Sequence, residues 1–186
     1  MFIINLIISL TWIGLISWFP TYIQKSKNLS VGTARLLFSI VLLGAILIKP
    51  ILGHLSDKIN KLWIMMFITI LASISLYLLT ITYSIIKLAI IAFLLSQTSA
   101  FFPVRTSYLM DLWYSETAGS KLGIFRSGII LLSSPISAII GGLSEIYGFD
   151  IAILIIAGAL VFASFLLALR IFLNKWHLKD KCFNTR

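Results

Sequence analysis

The sequence predicts an all-α, polytopic membrane protein with six transmembrane helices. Of its 186 residues, 60% are apolar and only 11% are charged, and the mean hydropathy is +1.06. A water-soluble domain of this composition would aggregate. The apolar residues are also gathered into long runs. A helix needs about 20 residues to cross a hydrocarbon core of roughly 30 Å, because each residue rises about 1.5 Å.

Six segments are long and apolar enough to span a bilayer. They are Phe2–Phe19, Thr33–Leu52, Leu62–Ile81, Leu88–Met110, Leu122–Gly142 and Ile151–Leu169. The third and fourth are separated only by a short polar stretch and Lys87, so a tight hairpin is predicted there. The domain prediction is one six-helix bundle over residues 1–173, followed by a basic cytoplasmic tail over residues 174–186.

The N-terminal apolar run has a competing interpretation as a cleaved secretory signal. A basic start and a small-residue cleavage site would support it, but Trp18, Phe19 and Pro20 stand where small residues would be needed. We therefore interpret the run as the first transmembrane helix. Because the chain begins inside that helix, we expect an upstream segment to be missing or separately encoded.

Lysine and arginine are distributed unequally between the two predicted faces. Eleven lie toward one face: Lys49, Lys58, Lys61, Arg105, Lys121, Arg126, Arg170, Lys175, Lys179, Lys181 and Arg186. Only Lys25, Lys27, Arg35 and Lys87 lie toward the other. The positive-inside rule then predicts that the first face is cytoplasmic, with both termini inside and the protein in the cell membrane. Trp18 at the outer boundary and Trp63, Trp113 and Trp176 at the inner one are interpreted as interfacial anchors.

The net charge of +9 could also indicate a nucleic-acid-binding protein. Such proteins concentrate their cations on one folded face, whereas these cations lie between apolar runs. The predicted partner is therefore the lipid bilayer and not nucleic acid. The single cysteine, Cys182, excludes an intrachain disulfide and is given no role.

The inner end of the second helix carries a charged motif, Gly53-His-Leu55-Ser-Asp57-Lys58-Ile-Asn-Lys61. Gly53 permits close backbone approach, Asp57 can accept hydrogen bonds from a helix N-terminus, and the lysines suit the inner surface. An ordinary polar turn is the alternative. The pattern resembles the signature loop of the major facilitator superfamily, which implies that these five residues gate the cytoplasmic side. The family's second glycine is Asn60 here, and asparagine also adopts positive φ readily.

The resemblance extends along the chain. A second set of similar residues lies in the inner loop and fifth helix: Glu116, Gly119, Gly123, Arg126, Pro135, Gly141 and Gly142. The stretch from Gly53 to Asp57 also recurs as Gly141 to Glu145, 88 positions later and three helices further on. An odd number of helices reverses direction in the membrane, so an inverted 3+3 repeat is predicted.

Complete members of the superfamily have two six-helix halves with the solute site between them. The stretch from Trp18 to Tyr22 and the degenerate motif resemble second halves more than first halves, so the C-terminal half is favoured. The expected partners are a small-molecule solute and either a second six-helix half or another copy of the chain.

Polar side chains inside the spans are the candidate cavity residues. The resemblance implies that the first and fourth helices face the cavity, whereas the third and sixth are peripheral. Asn5, Ser9 and Trp12 follow helical spacing in the first helix, and Gln97 lies at the centre of the fourth. Hydrogen bonds between helices, without solute contact, are the alternative role for these groups. The sixth helix has only Ser164 as a polar side chain and is predicted to face lipid.

The chain is predicted to be a permease, either secondary-active or facilitative, present as a half or fragment and working by alternating access. A membrane scaffold, or a truncated permease without transport activity, is the alternative. All six acidic residues lie at helix ends or in loops, so no proton carrier at mid-membrane depth is expected. No catalytic or metal-binding pattern is present, so neither an enzyme nor a cofactor is predicted.

Overall fold

The computed structural model describes residues 1–113 and 117–183, with side chains as far as residue 173. These residues form eight α-helices and one 3₁₀ turn, without strands. The helices are α1 (Phe2–Lys27), α2 (Val31–Lys58), α3 (Lys61–Ile81), α4 (Ile85–Ser96), α5 (Phe101–Leu112), α6 (Ala118–Ser133), α7 (Ile136–Tyr147) and α8 (Phe149–Phe183), and the 3₁₀ turn is Gln97–Ala100.

These elements make six membrane-length spans. The first three are α1, α2 and α3, the fourth is α4 with the 3₁₀ turn and α5, the fifth is α6 with α7, and the sixth is α8. The predicted all-helical fold with six apolar transmembrane helices is thus confirmed, while the inverted repeat stays a prediction. We call the face with the α2–α3 turn the inner face, following the predicted orientation.

The helix ends differ from the predicted ones, most of all at the end of the sixth span, where α8 continues past Leu169 to Phe183. α1 continues past Phe19 to Lys27, and α2 covers Val31–Lys58. Hydropathy detects only the part of a helix that crosses hydrocarbon, whereas the backbone hydrogen bonds continue into the polar interface. α1 ends at Asn28, which takes the left-handed conformation with φ 53°. The predicted hairpin is confirmed, since only residues 82–84 separate α3 from α4.

Proline explains the breaks inside the fourth and fifth spans. Pro103 has no N–H to donate to the Ser99 carbonyl, and its ring crowds that carbonyl, next to the 3₁₀ turn. Next to this break, the hydroxyl of Ser99 donates a hydrogen bond to the Ser96 carbonyl at 2.8 Å. Pro135 stands at the N-terminus of α7, where a missing N–H costs little.

The sixth span packs on the third through one face only. Its small and aliphatic residues Ala157, Leu160 and Ala163 are buried, and Ser73 of α3 donates to the Ala157 carbonyl at 3.0 Å. Large apolar side chains such as Phe162 and Phe165 point away from the bundle. Ser164 donates to the Leu160 carbonyl within its own helix. The predicted lipid-facing character of this helix agrees with that arrangement.

A polar cluster joins the first, third and sixth spans at the end opposite the inner face. The Tyr22 hydroxyl lies 2.7 Å from Asp150 Oδ1 and 3.2 Å from the Leu79 carbonyl oxygen. Lys27 Nζ donates to the Thr80 carbonyl at 2.6 Å and lies 4.2 Å from the ring centroid of Tyr83. Leu79 and Thr80 lie in the last turn of α3, whose carbonyls lack partners within the helix. The cluster satisfies these groups and fixes the three helix ends together.

Candidate functional site: a cationic cavity and the inner-face motif

A cavity of about 950 Å³ lies among α1, α2, α5 and α6, toward the inner half of the spans. Among the described residues, neither α3 nor α8 contributes to its wall. Aromatic and aliphatic side chains make most of the surface. Its polar side chains are those of Ser9, Lys49, Arg105, Thr106, Ser107, Arg126 and Ser133. A volume of this size accommodates a small organic molecule.

Arg105 is the most unusual residue of the cavity. Its side chain is only 3% exposed, and its Nε finds no hydrogen-bond acceptor. The guanidinium carbon lies 5.5 Å from the ring centroid of Phe102 and 5.9 Å from that of Phe125. These distances allow weak cation–π attraction to both rings. Within the described residues, no carboxylate or carbonyl is bonded to Arg105, so this buried cation has no counterion in that part of the chain.

Two further cations line the same space. Lys49 comes from α2 and Arg126 from α6, and both are exposed. Arg126 is near enough to Arg105 for the two positive charges to repel each other. No acidic side chain appears among the described residues of the wall. The electrostatic potential of the cavity is therefore positive.

The cavity residues predicted from the sequence are divided between two environments. Ser9 and Trp12 line the cavity. Asn5 and Gln97 do not: Asn5 Nδ2 donates to the Met1 carbonyl at 2.7 Å, and Gln97 Nε2 donates to the Ile68 carbonyl of α3 at 3.0 Å. Gln97 thus makes the hydrogen bond between helices that was the alternative role for these groups.

The inner-face motif is helical, which corrects the predicted loop. Gly53, Leu55, Asp57 and Lys58 belong to the last turns of α2, and only residues 59–60 separate α2 from α3. Asn60 does not use its tolerance of positive φ, since its φ is −55°. The Asn60 side chain instead accepts a hydrogen bond from the Leu62 N–H at 3.0 Å. Asparagine serves here as an N-cap, for which it is among the favoured residues.

The charges of the motif are used unequally. Lys61 forms an ion pair with Asp111 at the end of α5, which connects the inner ends of the third and fourth spans. Asp57 is exposed and has no hydrogen-bond or ion-pair partner in the described part of the chain. Gly53 has open space on the side where a Cβ would stand, and it lines the cavity. The gating role of these residues stays a prediction.

The second motif is spread over the fifth span. Glu116 lies outside the described residues. Gly119, Gly123 and Gly142 face open space, whereas a Cβ on Gly141 would stand 3.0 Å from Cζ2 of Trp18. The indole N–H of Trp18 donates to the Ser137 carbonyl at 2.8 Å. Trp18 therefore contributes to packing between the first and fifth spans, in addition to the anchoring role predicted for it. Of the described members of this set, only Arg126 lines the cavity.

Sequence reasoning overlooked Lys49 and Arg105 as cavity residues, although a signal was present. Both lie inside predicted helices, where an ionisable side chain is expensive and typically functional. In the comparison of the two faces, Lys49 and Arg105 serve only as evidence for topology. Setting aside these two and Arg126 leaves eight cations against four, so the predicted orientation is unchanged.

Comparison with known proteins agrees with this architecture. The family model described as Major Facilitator Superfamily matches residues 1–180, nearly the whole chain. No curated protein matches the chain. Within the described residues, no group of side chains is arranged to hold a metal ion.

Proposed function

The chain belongs to the Major Facilitator Superfamily, a family of membrane transporters, and we propose that it works as one six-helix half of a permease. The solute binds in the cavity among α1, α2, α5 and α6. A second six-helix unit covers the open side of that cavity and rocks against this one, so that the site faces each side of the membrane in turn. The second unit is supplied by the same polypeptide, by another chain or by a second copy.

The observation that carries this proposal is the position of the cavity on one side of the bundle. Four spans contribute to its wall, while α3 and α8 pack behind them. A half that rocks must also move as one body. The hydrogen bonds of Tyr22 and Lys27, which join three spans at one end, support that behaviour. The C-terminal half is the position that the motif residues favour.

Asp57 is the candidate gating group at the inner face. Its carboxylate is exposed and unpaired within the described residues, so it is available to a helix N-terminus of the second unit. Lys61 is already paired with Asp111 inside this half. We therefore assign contact with the second unit to Asp57 and internal bracing to Lys61.

Alternating access can be tested by thiol labelling. The chain carries two substitutions: Cys182→Ser removes its own cysteine, and Ser9→Cys places a thiol at the cavity wall. Any second unit that copurifies is retained. In sealed vesicles, a membrane-impermeant thiol reagent should reach this cysteine from either side, in proportions that change when a transported solute is added. Gly158→Cys in the same background is the control, because Gly158 lies in a span and away from the cavity.

A scaffold or a permease remnant without activity gives a different result. The thiol at position 9 would then be reached from one side only, and its labelling would not change under any solute gradient. That result would contradict the permease proposal. Equal labelling of positions 9 and 158 would mean that the cavity is not a water-accessible path.

A further inference from the structure

Three cations of the cavity have no partner among the described residues, and they point to the class of its ligand. We propose that the cavity binds an anionic solute, with Arg105 as the principal anchor and Arg126 and Lys49 as supporting charges. The inference rests on the proposed permease function and narrows its substrate class. The anion carries a carboxylate or a phosphate, since guanidinium groups bind both in the same forked geometry.

Burial of Arg105 is the first step of the argument. A cation removed from water without a counterion is strongly unfavourable, and burial is tolerated when an anion or a dense set of acceptors is present. The two aromatic rings beside Arg105 offset only part of that cost. Nε is unsatisfied, and the side chain lies on the cavity wall. An anion in the cavity would accept hydrogen bonds from the N–H groups of Arg105.

The charge balance of the wall is the second step. Arg126 and Arg105 repel each other, and Lys49 adds a third positive charge. No described carboxylate of the wall compensates them, and Asp111 is already paired with Lys61 outside the cavity. A bound anion would convert this mutual repulsion into attraction.

The hydroxyl groups of the wall are the third step. Ser9 and Ser107 line the cavity, and neither makes a hydrogen bond within the described part of the chain. Both hydroxyls are thus free to donate to an anion. Thr106 and Ser133 already donate to the carbonyls of Phe102 and Ile129. Trp12 and Phe102 give the site an apolar boundary for the body of an organic anion.

Trp12 also supplies a reporter for binding. The purified chain, together with any second unit that copurifies, is placed in lipid nanodiscs and titrated with inorganic phosphate and with succinate at constant ionic strength. Glucose and choline are the neutral and cationic comparison probes. Both anions are expected to change the tryptophan fluorescence saturably, and the change should be lost in Trp12→Phe, which assigns the signal to the cavity. The two comparison probes should have no effect.

Charge substitutions then test the anchor. Arg105→Gln should weaken anion binding about tenfold or more, as expected for loss of a charge-assisted hydrogen bond. Arg105→Lys should retain part of the affinity. If Arg105→Gln fails to fold, Arg126→Gln serves instead and should weaken binding several-fold. Lys87→Gln is the matched control, because Lys87 lies at the start of α4 and away from the cavity, so its anion affinity should be unchanged.

Several outcomes would overturn the inference. The chain could respond to neither anion, or respond equally to glucose or choline, or keep its anion affinity in both arginine variants. Any of these would mean that the cavity does not select an anion through its cations. Uptake of the labelled anion into vesicles separates the two proposals. Binding without uptake contradicts the permease and leaves the anion site standing, whereas uptake of glucose without anion binding supports the permease and rejects the anion.

Discussion

Gly44 lies at a close contact between the second and fourth spans, and its replacement by alanine should weaken the bundle. A Cβ at this position would overlap the hydroxyl of Ser96, lie 2.8 Å from Ser96 Cβ and lie 3.1 Å from Cδ2 of Phe93. The serine cannot rotate away freely, because its hydroxyl donates to the Phe93 carbonyl at 2.5 Å. The strain must therefore be relieved by separating α2 from α4.

The size of the effect follows from these distances. Carbon atoms pack comfortably at about 3.5–4.0 Å, so the two helices must separate locally by roughly 0.7 Å, which forfeits a quarter to a half of each dispersion contact along the interface. Overpacking of a filled interior costs about 1–3 kcal/mol. Alanine also has a higher helix propensity than glycine, by about 0.5–1 kcal/mol, which offsets part of this cost.

Gly158→Ala is the matched control because it has the same gain in helix propensity without the clash. Gly158 also lies inside a span, but nothing stands within 4 Å of its added Cβ. We expect the free energy of unfolding of Gly44→Ala to lie about 1–3 kcal/mol below that of Gly158→Ala. The measurement is unfolding of the purified chain from mixed micelles by sodium dodecyl sulfate, followed by circular dichroism.

A second substitution makes the reasoning refutable. Ser96→Gly removes the atoms that the new methyl group meets, so it should cost less stability in the Gly44→Ala chain than in the original one. Equal stability of the two alanine variants would show that α2 and α4 are not in close contact. Strictly additive effects of the two substitutions would show that contact with Ser96 is not the cause of the destabilisation.

Three further predictions concern the ends of the bundle. Tyr22→Phe should lower the free energy of unfolding by about 1–3 kcal/mol, because Asp150 loses a hydrogen bond; Tyr77→Phe, whose ring is exposed, should have little effect in the same unfolding assay. Asp57→Asn should reduce uptake in cells that carry this chain with its second unit, while expression persists. The substitution removes a charge-assisted contact worth about 1–3 kcal/mol, and a loss of that size shifts a conformational equilibrium by roughly 5-fold to more than 100-fold. Unchanged uptake would make Asp57 an ordinary surface residue. Cys182, whose side chain lies outside the described part, should react with a membrane-impermeant thiol reagent in inside-out vesicles and not in intact cells; labelling from outside would reverse the orientation.

The number of spans could be predicted because hydrophobic length is a property of each segment alone. The tight turn after Ile81 followed from the same reasoning, since one helix cannot be as long as the third and fourth spans combined. Helix ends could not be predicted in this way. The polar residues from 53 to 58 read as a loop by hydropathy, yet they continue α2 because backbone hydrogen bonding does not depend on apolar side chains.

The candidate site was only partly predictable for a related reason. Helical spacing in the first span grouped Asn5, Ser9 and Trp12, and of these Ser9 and Trp12 line the cavity. Nothing in the sequence indicates that the Gln97 amide donates to the Ile68 carbonyl, because that contact depends on how the third and fourth spans cross. Arg105 was recognisable as a charge within a span, and Phe102 lies three residues before it on α5. Its contact with the Phe125 ring, however, required the packing of α5 against α6.

Unsatisfied polar atoms are concentrated on the fourth span. Five buried side-chain atoms in the described residues have no hydrogen-bond partner, and those of Gln97, Thr98 and Arg105 all belong to this span. Buried polar groups in proteins are nearly always paired, with water where protein groups are lacking. The 3₁₀ turn at Gln97–Ala100 separates the half of the span that packs within the bundle from the half that lines the cavity. Gln97 already donates to the Ile68 carbonyl of α3, and Arg105 is the charged residue among these three. Under the proposed function, we expect solute, water or a second unit to complete the hydrogen bonding of the fourth span.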